Sequence, residues 1–166
     1  MILSIDPGSS ESAYVLMNND LKPIIFGKFT NLNVRAEIRR ILRMYYSPDR
    51  SISVVTEMVA CYDMAVGKEV FDTCVWVGRF TEMAEHENVN TYYIYRREEK
   101  MNLCKTMKAK DSNIIQALAD RFAPDTPNKG KGVKAHKGWF YGFKKDIWQA
   151  YAVGVTYYDL YLKGDK

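Results

Sequence analysis

The stretch Met1-Ile2-Leu3-Ser4-Ile5-Asp6-Pro7-Gly8-Ser9-Ser10 decides the fold. A mostly apolar run reaches an aspartate, and Pro7 and Gly8 then end the strand and turn the chain. A buried strand that ends in a carboxylate holds Asp6 rigidly at the surface of a sheet, which suits a metal ligand. Asp-Pro-Gly is equally a good turn sequence, in which the aspartate only caps the turn. Partner carboxylates elsewhere in the chain decide between these two interpretations.

The order of the other elements predicts the fold class. Residues 12–17 and 23–30 are predicted strands, and with the first strand they form an antiparallel meander. Further strands are predicted at 51–58 and 91–95, with helices at 33–46, 64–86, 111–122 and 144–162. Residues 96–110 are predicted to form a short helix and a loop, and residues 128–142 a long flexible loop. This is the ribonuclease H-like α/β plan, a five-stranded mixed sheet (an antiparallel meander plus two parallel strands) with helices on both faces, in one domain spanning 1–166.

Composition restricts the function classes. The 166 residues carry 24 Lys and Arg against 20 Asp and Glu, a net charge of +4 that only weakly favours an acidic partner. Cys61, Cys74 and Cys104 form no CxxC pair, which argues against a structural zinc site and a disulfide framework and fits a reducing cytoplasm. The sequence predicts neither a signal peptide nor a membrane span.

Four residues are candidates for one site. The ends of the first and fourth strands are neighbours in such a sheet, so Asp6 and Glu57 are expected to approach each other. The last helix offers Asp146 and, one turn later on the same face, Gln149. Clustered carboxylates can hold two Mg²⁺ ions, which activate water and steady the leaving oxygen in phosphodiester hydrolysis.

These residues resemble the RuvC-like Holliday junction resolvases, most closely the phage-encoded members. The resemblance covers nearly the whole chain and rests on five segments: Ile5-Asp6-Pro7-Gly8-Ser9, Glu57 at its strand end, Gly67-Lys68-Glu69-Val70-Phe71 through Gly78-Arg79-Phe80, Lys110-Asp111, and Asp146-Ile147-Trp148-Gln149-Ala150-Tyr151-Ala152. It implies a homodimer that binds four-way and branched DNA and nicks two strands with Mg²⁺ or Mn²⁺. For a phage-encoded protein it also implies the bacterial host cytoplasm.

Position 149 departs from the family pattern. Asp6, Glu57 and Asp146 match metal-binding acidic positions, whereas Gln149 stands where the family usually has aspartate. A glutamine oxygen can coordinate a metal but brings no charge. The leading hypothesis is therefore a metal-dependent junction endonuclease, and the alternative is a branched-DNA-binding module that Gln149 leaves inactive or slow.

Basic residues indicate where DNA would lie. Lysines can neutralise phosphates, and the aromatic residues among them can stack on unpaired bases or simply close the core. Tyr62, soon after Glu57, is a candidate wedge at the centre of a junction. The predicted DNA-contacting lysines are Lys105, Lys108, Lys110, Lys129, Lys131, Lys134, Lys137, Lys144 and Lys145.

The helix predicted at 64–86 is the candidate dimer interface. Its apolar residues exceed what one buried face requires, which predicts burial by the sheet on one side and by a second subunit on the other. Two further functions stay open at this level. A nuclease for RNA–DNA hybrids shares the fold, and Asp6-Pro7-Gly8-Ser9-Ser10 also resembles the phosphate loop of actin-like ATPases, although the chain lacks the second domain and second loop that those proteins need.

Overall fold

A five-stranded mixed sheet forms the centre of the protein. The structure is a computed structural model that describes residues 1–47, 51–61 and 65–164. The strands lie in the order β3-β2-β1-β4-β5; β1, β2 and β3 are antiparallel, and β4 and β5 run parallel to β1. The predicted fold class is confirmed, with strand ends shifted by two residues at most. The strands are β1 (Ile2–Asp6), β2 (Glu11–Met17), β3 (Pro23–Thr30), β4 (Ser53–Met58) and β5 (Asn90–Tyr95).

The alternation of side chains along the strands gives the sheet two buried faces. Leu3 and Ile5 enter the core beneath α1 (Asn31–Tyr45) and α2 (Lys68–His86). Ile2 and Val55 enter the opposite core, which α6 (Ile147–Tyr157) covers. Counting by twos along each strand puts Asp6 and Glu57 on the α6 face. The pleat therefore aims both carboxylates at the same side of the sheet.

The helix predicted at 64–86 begins later than expected. Residues 65–67 are not helical, and α2 starts at Lys68, directly after an extended Gly67. Glycine is a poor interior helix residue, and Glu69 favours the first turn because its charge matches the helix dipole. Met64 lies outside the described residues. The helix predicted at 33–46 is α1, shifted by two residues at its start and by one at its end.

The segment predicted as a long flexible loop contains regular structure. A helical turn α5 (Pro127–Gly130) leads into a small hairpin of β6 (Gly132–Val133) and β7 (His136–Lys137). Gly130 and Gly132 have φ of +77° and +69°. A Cβ on Gly130 would lie 2.5 Å from Ala123 Cβ, so the turn packs directly on the end of α4 (Asp111–Phe122).

Aromatic residues after this hairpin fill the core on the α6 face. Phe140 and Phe143 are fully buried, and their rings pack on Trp148 and Tyr151 of α6. Trp139 stacks on Phe122 and donates a hydrogen bond to the Tyr151 hydroxyl at 3.1 Å. Of the two roles open to the aromatic residues among the lysines, Phe140 and Phe143 therefore close the core, because burying them there is worth more than exposing them to bases. Tyr141 stays exposed.

The last helix is shorter than predicted at its start. The sequence predicted a helix over 144–162, but Lys145 adopts a left-handed φ of +46° and α6 begins at Ile147. A π-helical turn (Tyr158–Leu162) continues it to the predicted end. Within the described ranges, the helices are too short or too polar to cross a lipid bilayer.

Candidate active site

Asp6 and Glu57 meet at the carboxyl ends of β1 and β4. The parallel register pairs Ile5 with Thr56, so the next position along pairs Asp6 with Glu57. Their carboxyl groups are within hydrogen-bonding reach of each other. Both line a pocket at this edge of the sheet, and Arg96 forms part of its wall. Strand register alone is therefore enough to bring the two carboxylates together.

Burial changes the ionisation of this pair. Burial raises the pKa of Asp6 well above its ordinary value, and the negative charges of Glu57 and Asp146 raise it further. Burial also raises the pKa of Glu57, although Arg96 and the hydrogen bond with Asp6 oppose this change. Two like charges so close together do not both ionise readily.

Arg96 joins three helices next to this pair. It is the first residue of α3 (Arg96–Cys104), immediately after β5. Its Nη1 donates to Glu99 Oε2 at 2.6 Å and to Gln149 Oε1 at 2.5 Å. Its Nη2 donates to Asp111 Oδ1. One guanidinium thus binds residues of α3, α4 and α6, and its charge also acts on Glu57.

Glu99 is an acidic residue that the sequence analysis did not single out. Its side chain is fully buried in the first turn of α3. Oε2 accepts the hydrogen bond from Arg96, whereas Oε1 has no hydrogen-bond partner among the described residues. Burial raises the pKa of Glu99 well above its ordinary value, and the charge of Glu57 adds to this. The Arg96 network therefore carries a buried carboxyl group with one free oxygen.

Asp146 occupies the N-cap position of α6 and is held by Lys28. Lys28 Nζ lies 2.6 Å from Asp146 Oδ2 and 3.3 Å from Glu11 Oε2. The hydrogen bond with Asp146 raises the pKa of Lys28. The chain before α6 crosses β3, where the rings of Phe143 and Phe26 pack edge to face with centroids 4.7 Å apart. This crossing brings position 146 beside Lys28.

The four predicted site residues therefore fall into two pairs. Asp6 and Glu57 contact each other, whereas Asp146 and Gln149 each contact a cationic side chain of the protein. Over residues 1–47, 51–61 and 65–164, three or more acidic, His or Cys side chains do not converge on one potential metal position. The Asp6–Glu57 pair nevertheless offers the anionic oxygen ligands that Mg²⁺ and Mn²⁺ prefer. On donor chemistry, a divalent cation fits at this pair.

The predicted DNA-contacting lysines form two groups. In the first, Lys129, Lys131 and Lys134 line an open groove together with Tyr141, and Lys144 and Lys145 directly precede Asp146. Lys137 also belongs to this group, and its Nζ lies 5.0 Å from the centroid of the Tyr141 ring. Apart from the half-buried Lys131, these lysines are exposed.

The second group lies between α3 and α4. Lys105, Lys108 and Lys110 are exposed, whereas Ala109 is buried and anchors the loop. Asp111, next to Lys110, contacts Arg96, so this loop ends beside the Arg96 network. The predicted wedge residue Tyr62 lies outside the described residues.

Sequence reasoning missed the roles of Arg96, Glu99 and Lys28. In the sequence Arg96 is one of several basic residues of the segment 96–110, although it follows β5 directly and lies at the same sheet edge as Glu57. The spacing of Arg96 and Glu99 is i, i+3 on a helix, which is a usable signal for a contact. Lys28 carries no local signal, because its contact with Asp146 joins residues far apart in the chain.

Comparisons with known proteins show the fold. The chain matches no protein-family model and no curated protein. Solved structures are similar to it, two RuvC structures among them. The Thermus thermophilus RuvC structure superposes with a TM-score of 0.65 at 14% identity, covering 95% of this chain and 94% of that one. T. thermophilus RuvC in complex with Holliday junction substrate gives a TM-score of 0.66 at 13% identity, covering 95% and 93%. The protein therefore has the ribonuclease H-like fold found in these structures.

Proposed function

We propose that the protein is a divalent-metal-dependent, structure-selective endonuclease that binds four-way and branched DNA and resolves it by paired nicks. The observation that carries this proposal is the half-buried Asp6–Glu57 pair at the carboxyl ends of two parallel strands. The similarity to a RuvC whose structure holds a Holliday junction substrate supports the substrate class.

Asp6 and Glu57 would hold Mg²⁺ or Mn²⁺, with Asp146 and Gln149 as the helix side of the same site. When bound, such a cation supplies an activated water and stabilises the leaving oxygen of a phosphodiester. Both strand carboxylates are half-buried at the strand ends, and the pairing of β1 with β4 fixes their positions relative to each other. Asp146 contacts Lys28 through Oδ2, so a metal bound to that oxygen would free Lys28 to bind a phosphate oxygen.

The two lysine groups would bind the DNA backbone on either side of this pocket. Lys144 and Lys145 are exposed and lead directly into Asp146. Lys110 is exposed and adjoins Asp111, which contacts Arg96. Lysines bind phosphates without reading the sequence, which suits recognition of a DNA shape.

Cleavage of a labelled four-way junction tests the proposal. We expect paired nicks in Mg²⁺ or Mn²⁺, no nicks in EDTA, and little cutting of a linear duplex that contains one arm of the junction. An RNA–DNA hybrid of the same sequence serves as the second control. Cutting of the hybrid or the duplex as fast as the junction would contradict the proposed substrate.

The binding-module alternative is favoured by one specific observation. Asp146 Oδ2 contacts Lys28, and Gln149 Oε1 accepts a hydrogen bond from Arg96. On this alternative the contacts of Asp146 and Gln149 are purely structural, and the protein binds junctions without cutting them. A band-shift assay and a cleavage assay on one preparation separate the two functions, because strong binding without cutting in either metal supports the module.

We further propose that the protein works as a homodimer through α2. Phe71 and Val75 of this helix are 61% and 53% exposed, and with Cys74 and Gly78 they follow the i, i+3, i+4, i+7 spacing of one helix face. Two sites related by a twofold axis would match the two equivalent strands of a junction. Sedimentation of the free protein and of the Phe71→Glu variant tests this. We expect the parent protein to be a dimer and the variant to be a monomer. A parent that is monomeric at micromolar concentration, both free and on DNA, contradicts it.

A further inference from the structure

The Arg96 guanidinium lies where oxygen ligands from two helices converge. Glu99 Oε2 of α3 and Gln149 Oε1 of α6 lie 2.6 Å and 2.5 Å from the same Nη1 atom. Asp111 of α4 accepts from the other terminal nitrogen. Side chains from three helices thus surround one positive charge, directly beside the Asp6–Glu57 pocket whose wall Arg96 forms. This is the arrangement of a cation site that the protein fills by itself.

We propose that Arg96 is a fixed cation of the active site, which takes the place of a second divalent ion, so that each chain binds one divalent cation, at Asp6 and Glu57. This inference rests on the proposed function for the role of that ion. It assigns Gln149 as the positioning residue for Arg96, in place of its predicted role as a metal ligand.

Charge balance explains why an amide suits position 149. The guanidinium already has two carboxylate partners, Glu99 and Asp111. Gln149 adds a hydrogen-bond acceptor to Nη1 without a third negative charge. A carboxylate there would add a third negative charge around one guanidinium, next to Asp6 and Glu57. The amide therefore holds the arginine without raising the demand for a second metal ion.

Burial makes the guanidinium difficult to displace. Glu99 is fully buried, and its Oε1 has no other partner among the described residues, so Arg96 supplies its only described hydrogen bond. An arginine stays charged at every accessible pH, and its planar group can bind a phosphate with the edge that remains free. Such a group next to the single metal ion would stabilise negative charge on the scissile phosphate.

The number of bound Mn²⁺ ions tests the proposal without any need for cleavage. Mn²⁺ is titrated to millimolar concentration into the DNA-free protein, and free Mn²⁺ is counted by electron paramagnetic resonance. We expect one Mn²⁺ per chain for the parent. Arg96→Met removes the guanidinium, leaves Glu99 and Gln149 without their cation, and is expected to bind two. Arg96→Lys keeps the charge and is expected to bind one, as is the neighbouring surface control Arg97→Met.

A parent that binds two ions, or none, overturns the inference, and so does a folded Arg96→Met variant that binds one. If Arg96→Met does not fold, the parent and Arg96→Lys counts still decide, because a second ion in either contradicts a fixed cation. Junction cleavage is measured separately on the parent. A parent that cuts junctions but binds two Mn²⁺ loses only this inference, whereas a parent that binds one Mn²⁺ and cuts nothing loses the proposed function.

Discussion

The two halves of the candidate site are built in different ways. The strand half consists of Asp6 and Glu57, whose carboxyl groups line one pocket and do not both ionise readily. The helix half consists of Asp146 and Gln149, and each of these is held by a protein cation, Lys28 or Arg96. The first half is short of positive charge, whereas the second already has it.

This difference indicates where an added cation would go. A metal ion at the strand half would relieve the repulsion between these two carboxyl groups. Binding at the helix half has to displace a lysine or an arginine that is already hydrogen-bonded. The strand half is therefore the exchangeable position, and the helix half sets its surroundings.

The largest expected effect comes from removing a strand carboxylate. We expect Asp6→Asn and Glu57→Gln each to abolish junction cleavage. The loss of rate should exceed the roughly 10–100-fold loss that follows removal of a residue that is only hydrogen-bonded to a metal ligand. DNA binding should survive, because the lysines hold the phosphates. Nicking and band-shift assays on each variant measure the two effects. A variant that cuts at the rate of an active parent would show that the strand half is not the metal position.

The strand half was predictable from the sequence, and the helix half only in part. Asp6 and Glu57 each end a strand in a pattern of period two, and the order of elements makes those strands neighbours. Gln149 was recognised by its spacing from Asp146, but its partner Arg96 lies 53 residues away. Contacts between side chains on different elements depend on packing angles and chain crossings, such as the crossing of Phe143 over Phe26, which no local pattern encodes.

The hairpin shows the same limit. The segment 128–142 was predicted to be a flexible loop. Gly130, in the turn before the hairpin, is needed instead because Ala123 and Phe140 leave no room for a side chain. A glycine permits both a loose loop and a close approach, and only the packing distinguishes the two. The aromatic residues after the hairpin were ambiguous for a similar reason.

The next largest effect concerns two lysines of the open groove that Lys129, Lys131 and Lys134 line. We expect Lys131→Gln with Lys134→Gln to weaken binding to every DNA form and to reduce the slope of log affinity against log salt by about 0.9 per lost phosphate contact. The matched control is Arg40→Gln with Arg43→Gln, which removes the same charge from exposed positions of α1 on the opposite face of the sheet. Equal effects of the two pairs would mean that net charge alone attracts DNA.

Stability provides a smaller test of the strand half. The pKa of Asp6 is raised in the folded protein, so the fold gains stability from its proton at low pH and loses it as pH rises through that raised pKa. Asn at this position avoids the loss. In EDTA we expect Asp6→Asn to unfold at a higher temperature than the parent near neutral pH, by about 2–4 °C for each kcal/mol gained, with no difference at about pH 4.

Thermal unfolding at several pH values measures this difference. The control is Asp125→Asn, an exposed residue with a left-handed φ of +60° that asparagine also accepts. We expect the control to show no such growth of the difference with pH. A parent that matches Asp6→Asn across the whole range would mean that Asp6 ionises in the folded protein without a cost.

The smallest expected effect separates the two cations of the helix half. Lys28 and Asp146 are 25% and 45% exposed, so their ion pair contributes at most about 1 kcal/mol to stability, whereas Arg96 is tied to the fully buried Glu99. We therefore expect Lys28→Met to change the free energy of unfolding only slightly. The freed Asp146 carboxylate should then add to the attraction at Asp6 and tighten Mn²⁺ binding by up to about fivefold, the factor that corresponds to about 1 kcal/mol.

The number of Mn²⁺ ions bound by Lys28→Met should stay at one per chain, in contrast to Arg96→Met. Lys22→Met, just before the opposite end of β3, removes the same charge away from the site and serves as the control. Weaker Mn²⁺ binding in Lys28→Met than in this control would mean that Lys28 positions Asp146 as a ligand and does not compete with the metal, so the two halves of the site would then bind one ion together.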